Sequence, residues 1–147
     1  MWRIVILAGA VLLLSGINPA AADNARESKA GSSSEQLAAD AANKWLVSLD
    51  NGKYDESWEE ASEFFKLMVL KSQWYGQIAS VRKSFGELIS RQLYKRKFAK
   101  NLPGAPDGEY YIFGFRTSYA EKADCEETLT VKKDKDGRWH VAGYNIH

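Results

Sequence analysis

Apolar residues recur every three or four positions up to Phe85 and every second position after Leu88. Leu37, Ala38, Ala41, Trp45, Leu46 and Leu49 make one stripe, the spacing of an amphipathic helix. Ser33 or Ser34 is placed to cap it, and Gln36 lies three residues after Ser33, a capping-box spacing. Asn51-Gly52 closes it, because glycine readily takes the left-handed conformation past a helix end. A second helix starts near Tyr54-Asp55. Glu56, Glu59 and Glu60 suit its positive N-terminal end, and Trp58, Ala61 and Phe65 share a face. From Phe64 to Leu70 apolar residues are too dense to assign a period, which leaves the end of this helix open. A third helix follows Ser72, with Trp74, Ile78, Val81 and Phe85 as its stripe and Gly86 as its stop.

The period-two region predicts four strands: Leu88 to Phe98, Tyr110 to Tyr119, Ala123 to Lys132 and Arg138 to Ile146. In the second, Tyr111, Phe113, Phe115 and Tyr119 share a face. Asp134 to Gly137 (DKDG) is a hairpin signal. Helices followed by strands predict an α+β domain, three N-terminal helices packed on a curved four-stranded antiparallel sheet. Between the first two strands lies LPGAPDG, Leu102 to Gly108. A phosphate-binding loop needs a helix N-terminus directly after it, whereas here an alternating aromatic strand follows. The segment therefore reads as a hairpin connection fixed by its prolines and glycines.

The N-terminus is different. Arg3 precedes an apolar run from Ile4 to Leu14, then Ser15 to Pro19 breaks it and Ala20 to Ala22 supplies small residues. That is the order of a secretory signal, and the run is too short to span a bilayer. The reading divides the chain into a signal peptide (1–22, cleaved near Ala22), a flexible polar linker (23–33) and a single α+β domain (34–147), exported to the periplasm or secreted. No cysteine follows the apolar run, so no lipid attachment and no membrane insertion after cleavage are expected. Loss of Arg3 leaves 19 basic against 19 acidic residues. That balance argues against nucleic acid as a partner, which needs a basic excess to displace counterions. Cys125 is the one cysteine; an internal disulfide is impossible, and a buried thiol is the expectation. One Cys with His140 and the terminal His147 makes no usual metal set, so no metal or cofactor is expected.

Candidate chemistry is sparse. His140 alternates with Trp139 and Val141 in a strand, and no nucleophile set surrounds it. Glu127 shares a face with Cys125, Leu129 and Val131. A carboxylate there must be paired, protonated or exposed through a bulge. It is either a general base or half of a structural ion pair, with Arg82 and Arg116 as the natural partners. Arg82, at the edge of the third helix's stripe, gives a specific pairing that clamps helix to sheet. Trp45, Trp58 and Trp74 face the sheet, where stacked rings leave room for an apolar ligand pocket. Trp74, Arg82, Glu127 and Tyr144 are the candidate ligand-binding residues, and no catalytic residue is assigned. The basic stretch Arg91 to Lys100 interleaves cations with Tyr94 and Phe98. It suits an anionic partner, or an acidic second helix in a homodimer, or it is a strand protected by its lysines.

LVSLDNGKYDESWEEAS, QWYGQIASVRKSFGELISR, LPGAPDGEYYIFGFRTSY, KADCEETLTV and DGRWHVAGYNI together resemble the domain-of-unknown-function family 4019 of exported bacterial proteins. The resemblance spans about residues 40–146. It brings no activity with it and implies, by analogy, a cystatin-like or nuclear-transport-factor-2-like fold. The sequence thus predicts an exported, non-enzymatic binding domain for a small apolar ligand. The alternative is a protein-interaction or dimerisation module using the sheet face and residues 91–100; an isomerase- or hydrolase-like enzyme with Glu127 as base ranks after both.

Overall fold

A computed structural model describes the backbone of residues 24–147 and the side chains from Ser33 onward. The proposed signal peptide, residues 1–22, lies outside the described residues. The order is α1 (Asn24–Asp50), α2 (Tyr54–Glu59), α3 (Glu63–Met68), α4 (Lys71–Phe85), β1 (Leu88–Ala99), β2 (Tyr110–Tyr119), β3 (Lys122–Lys133) and β4 (Trp139–Ile146). The α+β class and the four-stranded antiparallel sheet are as the pattern predicts.

The helices differ from expectation in two respects. Four precede the sheet among the described residues, because the expected second helix breaks at Ser62. Ser62 takes an extended conformation and its side chain accepts from the Phe65 amide at 3.1 Å, capping a new helix. Its own amide leaves the helical ladder and donates to Val141 O at 2.8 Å. Second, α1 starts at Asn24 rather than at a cap on Ser33 or Ser34, so the backbone of the expected linker is helical there. Ala25, Arg26, Glu27 and Lys29 are compatible with a helix. The buried line of α1 is Ala38, Ala42, Trp45, Leu46 and Leu49, while Leu37 is 61% exposed. Leu37 sits about 100° around the axis from Ala38, which takes it off the stripe.

The strands pair in chain order, β1-β2-β3-β4, all antiparallel. Tyr111, Phe113, Phe115 and Tyr119 of β2 point into the core with Cys125, Leu129 and Val131 of β3. In β4 the inward set shifts from Trp139 and Val141 to Tyr144 and Ile146, because an irregularity opposite Thr130/Val131 inserts one residue. Rings fill the space between layers. Trp45 and Trp74 lie 5.6 Å apart between centroids, Trp45 and Tyr144 5.3 Å, and Phe65 and Trp74 5.2 Å. Buried indoles need acceptors for their N–H groups. Trp45 Nε1 donates to Ser57 O at 2.7 Å and Trp74 Nε1 to Ser57 Oγ at 2.9 Å.

The turns follow the sequence reading. LPGAPDG joins β1 to β2, closed by Gly108 N donating to Lys100 O at 3.0 Å and by the Tyr110 hydroxyl donating to Pro106 O. Gly86 ends α4 with φ 75° and ψ −157°, a region open essentially to glycine alone. Among the described residues no helix is long and apolar enough to cross a membrane.

Candidate functional site

The last residue of α1 begins the site. Asp50 follows buried Leu49 at the exposed end of the helix, and its partly covered side chain meets two arginines. Arg91 Nη1 donates to Asp50 Oδ2 at 2.7 Å and Arg91 Nη2 to Oδ1 at 3.0 Å, a two-pronged contact. Arg82 Nη1, from the last turn of α4, lies 2.9 Å from Asp50 Oδ1. Arg91 Nη2 also reaches Glu127 Oε1 of β3 at 3.2 Å. The Tyr119 hydroxyl donates to the same Oε1 at 2.6 Å, and the Arg82 guanidinium sits 5.0 Å from the Tyr119 ring centroid. Two cations and two carboxylates therefore form one neutral cluster tying α1, α4, β1, β2 and β3 together.

Burial makes each charge depend on its neighbours. Glu127 is wholly inaccessible. Burial alone would lower the pKa of Arg91, but its hydrogen bonds to Asp50 and the charges of Glu127 and Asp50 outweigh it, and the group is held above its ordinary value. Arg82 behaves likewise: burial lowers it, and Tyr144, Tyr119, Asp50 and Glu127 raise it further. Burial, then the Glu127 charge, pushes the Tyr119 and Tyr144 hydroxyls above the usual phenol range. Several buried atoms of this cluster meet no hydrogen-bond partner among the described residues: Glu127 Oε2, Arg82 Nε and Nη2, Arg91 Nε and the Tyr144 hydroxyl. A buried polar atom without a partner costs about 1–3 kcal/mol.

A cleft of about 210 Å³ opens beside it, between α1 and the β1–β2 hairpin. Ala39, Ala42, Leu93, Phe113 and Phe115 give it apolar walls, and Asn43 and Arg91 are its polar members. Arg91 therefore belongs to both places. Its guanidinium is already neutralised by Asp50 and Glu127, so the cleft carries little net charge.

The four residues singled out from sequence lie in one interior neighbourhood. Trp74 and Tyr144 rings are 6.2 Å apart, and Tyr144 feels the charges of Glu127 and Arg82. The expected Glu127–Arg82 ion pair does not form. Arg82 is engaged by Asp50, and Arg91 reaches Glu127 in its place. Sequence reasoning missed Asp50 and Arg91. Both carried a signal: Asp50 is four residues after Leu46 on the apolar stripe, and Arg91 shares the parity of inward-facing Leu93. Arg116 faces the other side of the sheet, 5.1 Å from the Tyr94 ring centroid. His140 is tied down, with Nδ1 3.1 Å from Glu60 O and Nε2 2.9 Å from Asp136 Oδ2. Cys125 is free and buried, and burial pushes its thiol up. Among the described residues no group of three or more His, Cys, Asp or Glu is placed to hold a metal.

A family model described as Protein of unknown function (DUF4019) matches residues 41–144, from the middle of α1 to the end of the sheet. No curated protein matches the chain.

Proposed function

The chain belongs to the DUF4019 family, and on that premise we propose that it is a non-enzymatic binding domain whose α1–β1–β2 cleft takes a small, mostly apolar ligand. The observation that carries this reading is the composition of the cleft: mainly apolar lining residues with two polar ones, Asn43 and Arg91, the usual form of a small-ligand site. Its volume of about 210 Å³ lies below the roughly 300–1,000 Å³ typical of drug-sized ligands, so the ligand is small. Neutralisation of Arg91 by Asp50 and Glu127 favours an uncharged ligand with one hydrogen-bonding group. In this reading Asp50, Arg82 and Glu127 orient Arg91, and Trp74 and Tyr144 pack behind them. Wholly buried Glu127, with two donors on its Oε1, suits that supporting role better than proton transfer.

The domain acts after export, with the leader removed near Ala22. The basic start, apolar centre and small-residue site of residues 1–22 support this. The register irregularities in β1 and in the β3–β4 pair support a curved sheet of cystatin-like or nuclear-transport-factor-2-like form. N-terminal sequencing of protein recovered outside the cytoplasm tests the first point, and a start at Met1 overturns it.

The ligand reading is tested by native mass spectrometry of the chain purified from its own compartment. A titration with small neutral probes, benzamide and phenol, followed by amide NMR goes with it. The expected result is a co-purified mass that is lost in Ala39→Trp, and probe-induced shifts at Ala42, Asn43 and Leu93. No bound mass together with no shift at millimolar probe refutes it.

A further inference from the structure

The two edges of the sheet are treated differently. The β4 edge is closed by the α2–α3 junction: Ser62 N donates to Val141 O, and Glu60 O meets His140 Nδ1. β1, twelve residues long, pairs with β2 alone among the described residues. Five consecutive residues of it, Tyr94 to Phe98, are exposed. A free edge carries unpaired backbone donors and acceptors, ready for another strand.

The side chains select what adds there. Lys95 pairs across with Gly114 and Lys97 with Ile112, so both stand on the face away from the helices, beside Tyr94 and Arg116. Neither lysine has an ion-pair partner among the described residues. Among the described residues Arg96 reaches Glu35, at 3.5 Å, and both groups are exposed. Phe98 is 42% exposed and Tyr94 46%. The acidic residues Asp55, Glu56, Glu59, Glu60 and Glu63 belong to α2, α3 and their junction, the helical segment that closes the β4 edge. A second copy is a poor occupant. Two β1 strands laid edge to edge bring Lys95, Arg96 and Lys97 against their own kind, and like charges opposite each other repel. The chain's own acidic run is helical and cannot offer an extended strand.

We propose that the free edge of β1, centred on Tyr94 to Phe98, docks an extended acidic segment of a partner protein as a fifth strand. Backbone pairing supplies the attachment. Lys95 and Lys97, two residues apart on one face just past the register break at Tyr94, select acidic residues at alternate positions, and Phe98, on the other face against Tyr111, takes apolar ones.

The probe is a fluorescent Thr-Glu-Val-Glu-Val-Glu-Val peptide, measured by fluorescence polarisation and amide NMR on the purified chain. Saturable binding with shifts confined to residues 92–99 is expected. So is a loss of about tenfold in K95E/K97E, the scale of two cross-strand charge pairs turned from attraction to repulsion. If circular dichroism shows that variant unfolded, K95Q/K97Q takes its place, with a loss of at least threefold expected. An N-methylated peptide of the same charge must fail to bind, because it cannot pair along the backbone. Equal binding of the N-methylated peptide overturns the proposal in favour of charge attraction alone. Sedimentation of the chain as a β1-mediated dimer, or capture by phosphatidylglycerol vesicles without peptide binding, also overturns it.

Discussion

Replacing Asp50 by Asn tests whether the buried cluster rests on this carboxylate. Asn keeps the shape and one acceptor oxygen but removes the charge and turns an NH2 toward a guanidinium. Asp50 serves two cations at 2.7, 3.0 and 2.9 Å. The side chains of Arg91 and Arg82 are 12% and 7% exposed and that of Asp50 20%. Without it, two buried guanidiniums face one carboxylate, Glu127. Removing one partner of a buried pair costs about 3–5 kcal/mol. The partial exposure of Asp50 sets the expected loss at the lower end, about 3 kcal/mol. With a urea slope of about 2 kcal/mol/M, the unfolding midpoint falls by about 1.5 M while the slope stays constant. Asp55→Asn is the control. Its contact with Lys71 is 3.8 Å and exposed, so less than about 0.5 kcal/mol should be lost. A loss under about 1 kcal/mol for Asp50→Asn refutes the reasoning, since water would then be screening the cluster.

Three further outcomes are expected. Tyr119 keeps its proton in the fold above the pH at which the unfolded chain gives it up. Stability is thus full below about pH 10 and falls above it by about 1.4 kcal/mol per pH unit for this group; Tyr119→Phe should flatten the slope of unfolding free energy between pH 10 and 11, and an unchanged slope refutes the assignment. Gly86→Ala should lose about 2–3 kcal/mol by denaturant unfolding, because an added Cβ is strained at φ 75° and lies 3.2–3.3 Å from Glu121 and Ala120 side-chain atoms. The Cys125 thiol should resist a disulfide reagent at pH 8 in the folded chain and react fully in urea; fast native labelling would contradict its burial.

The strands were legible to within a residue or two, since period-two alternation and the DKDG turn are local signals. The helical half was less so. Its break at Ser62 depends on an amide that prefers a carbonyl of β4, a partner 79 residues away, and no local pattern announces it. The site was half legible. Glu127 was found because a carboxylate among apolar residues is conspicuous. Its partner was misassigned because Arg82 and Arg91 both qualify by position, and only the three-dimensional meeting of α1, α4 and β1 decides between them. Arg91 was also masked by the basic run it begins.

Ser57 carries a consequence for how the molecule opens. The six-residue helix α2 is too short to persist alone, and its surface is acidic and solvated. Yet Ser57 accepts an indole N–H from α1 through its carbonyl and another from α4 through its hydroxyl. Letting this one turn unwind would strand two buried tryptophans at once. Amides of α2 should therefore exchange with deuterium only as slowly as the whole domain unfolds, giving a six-residue, largely solvated helix the protection of the core.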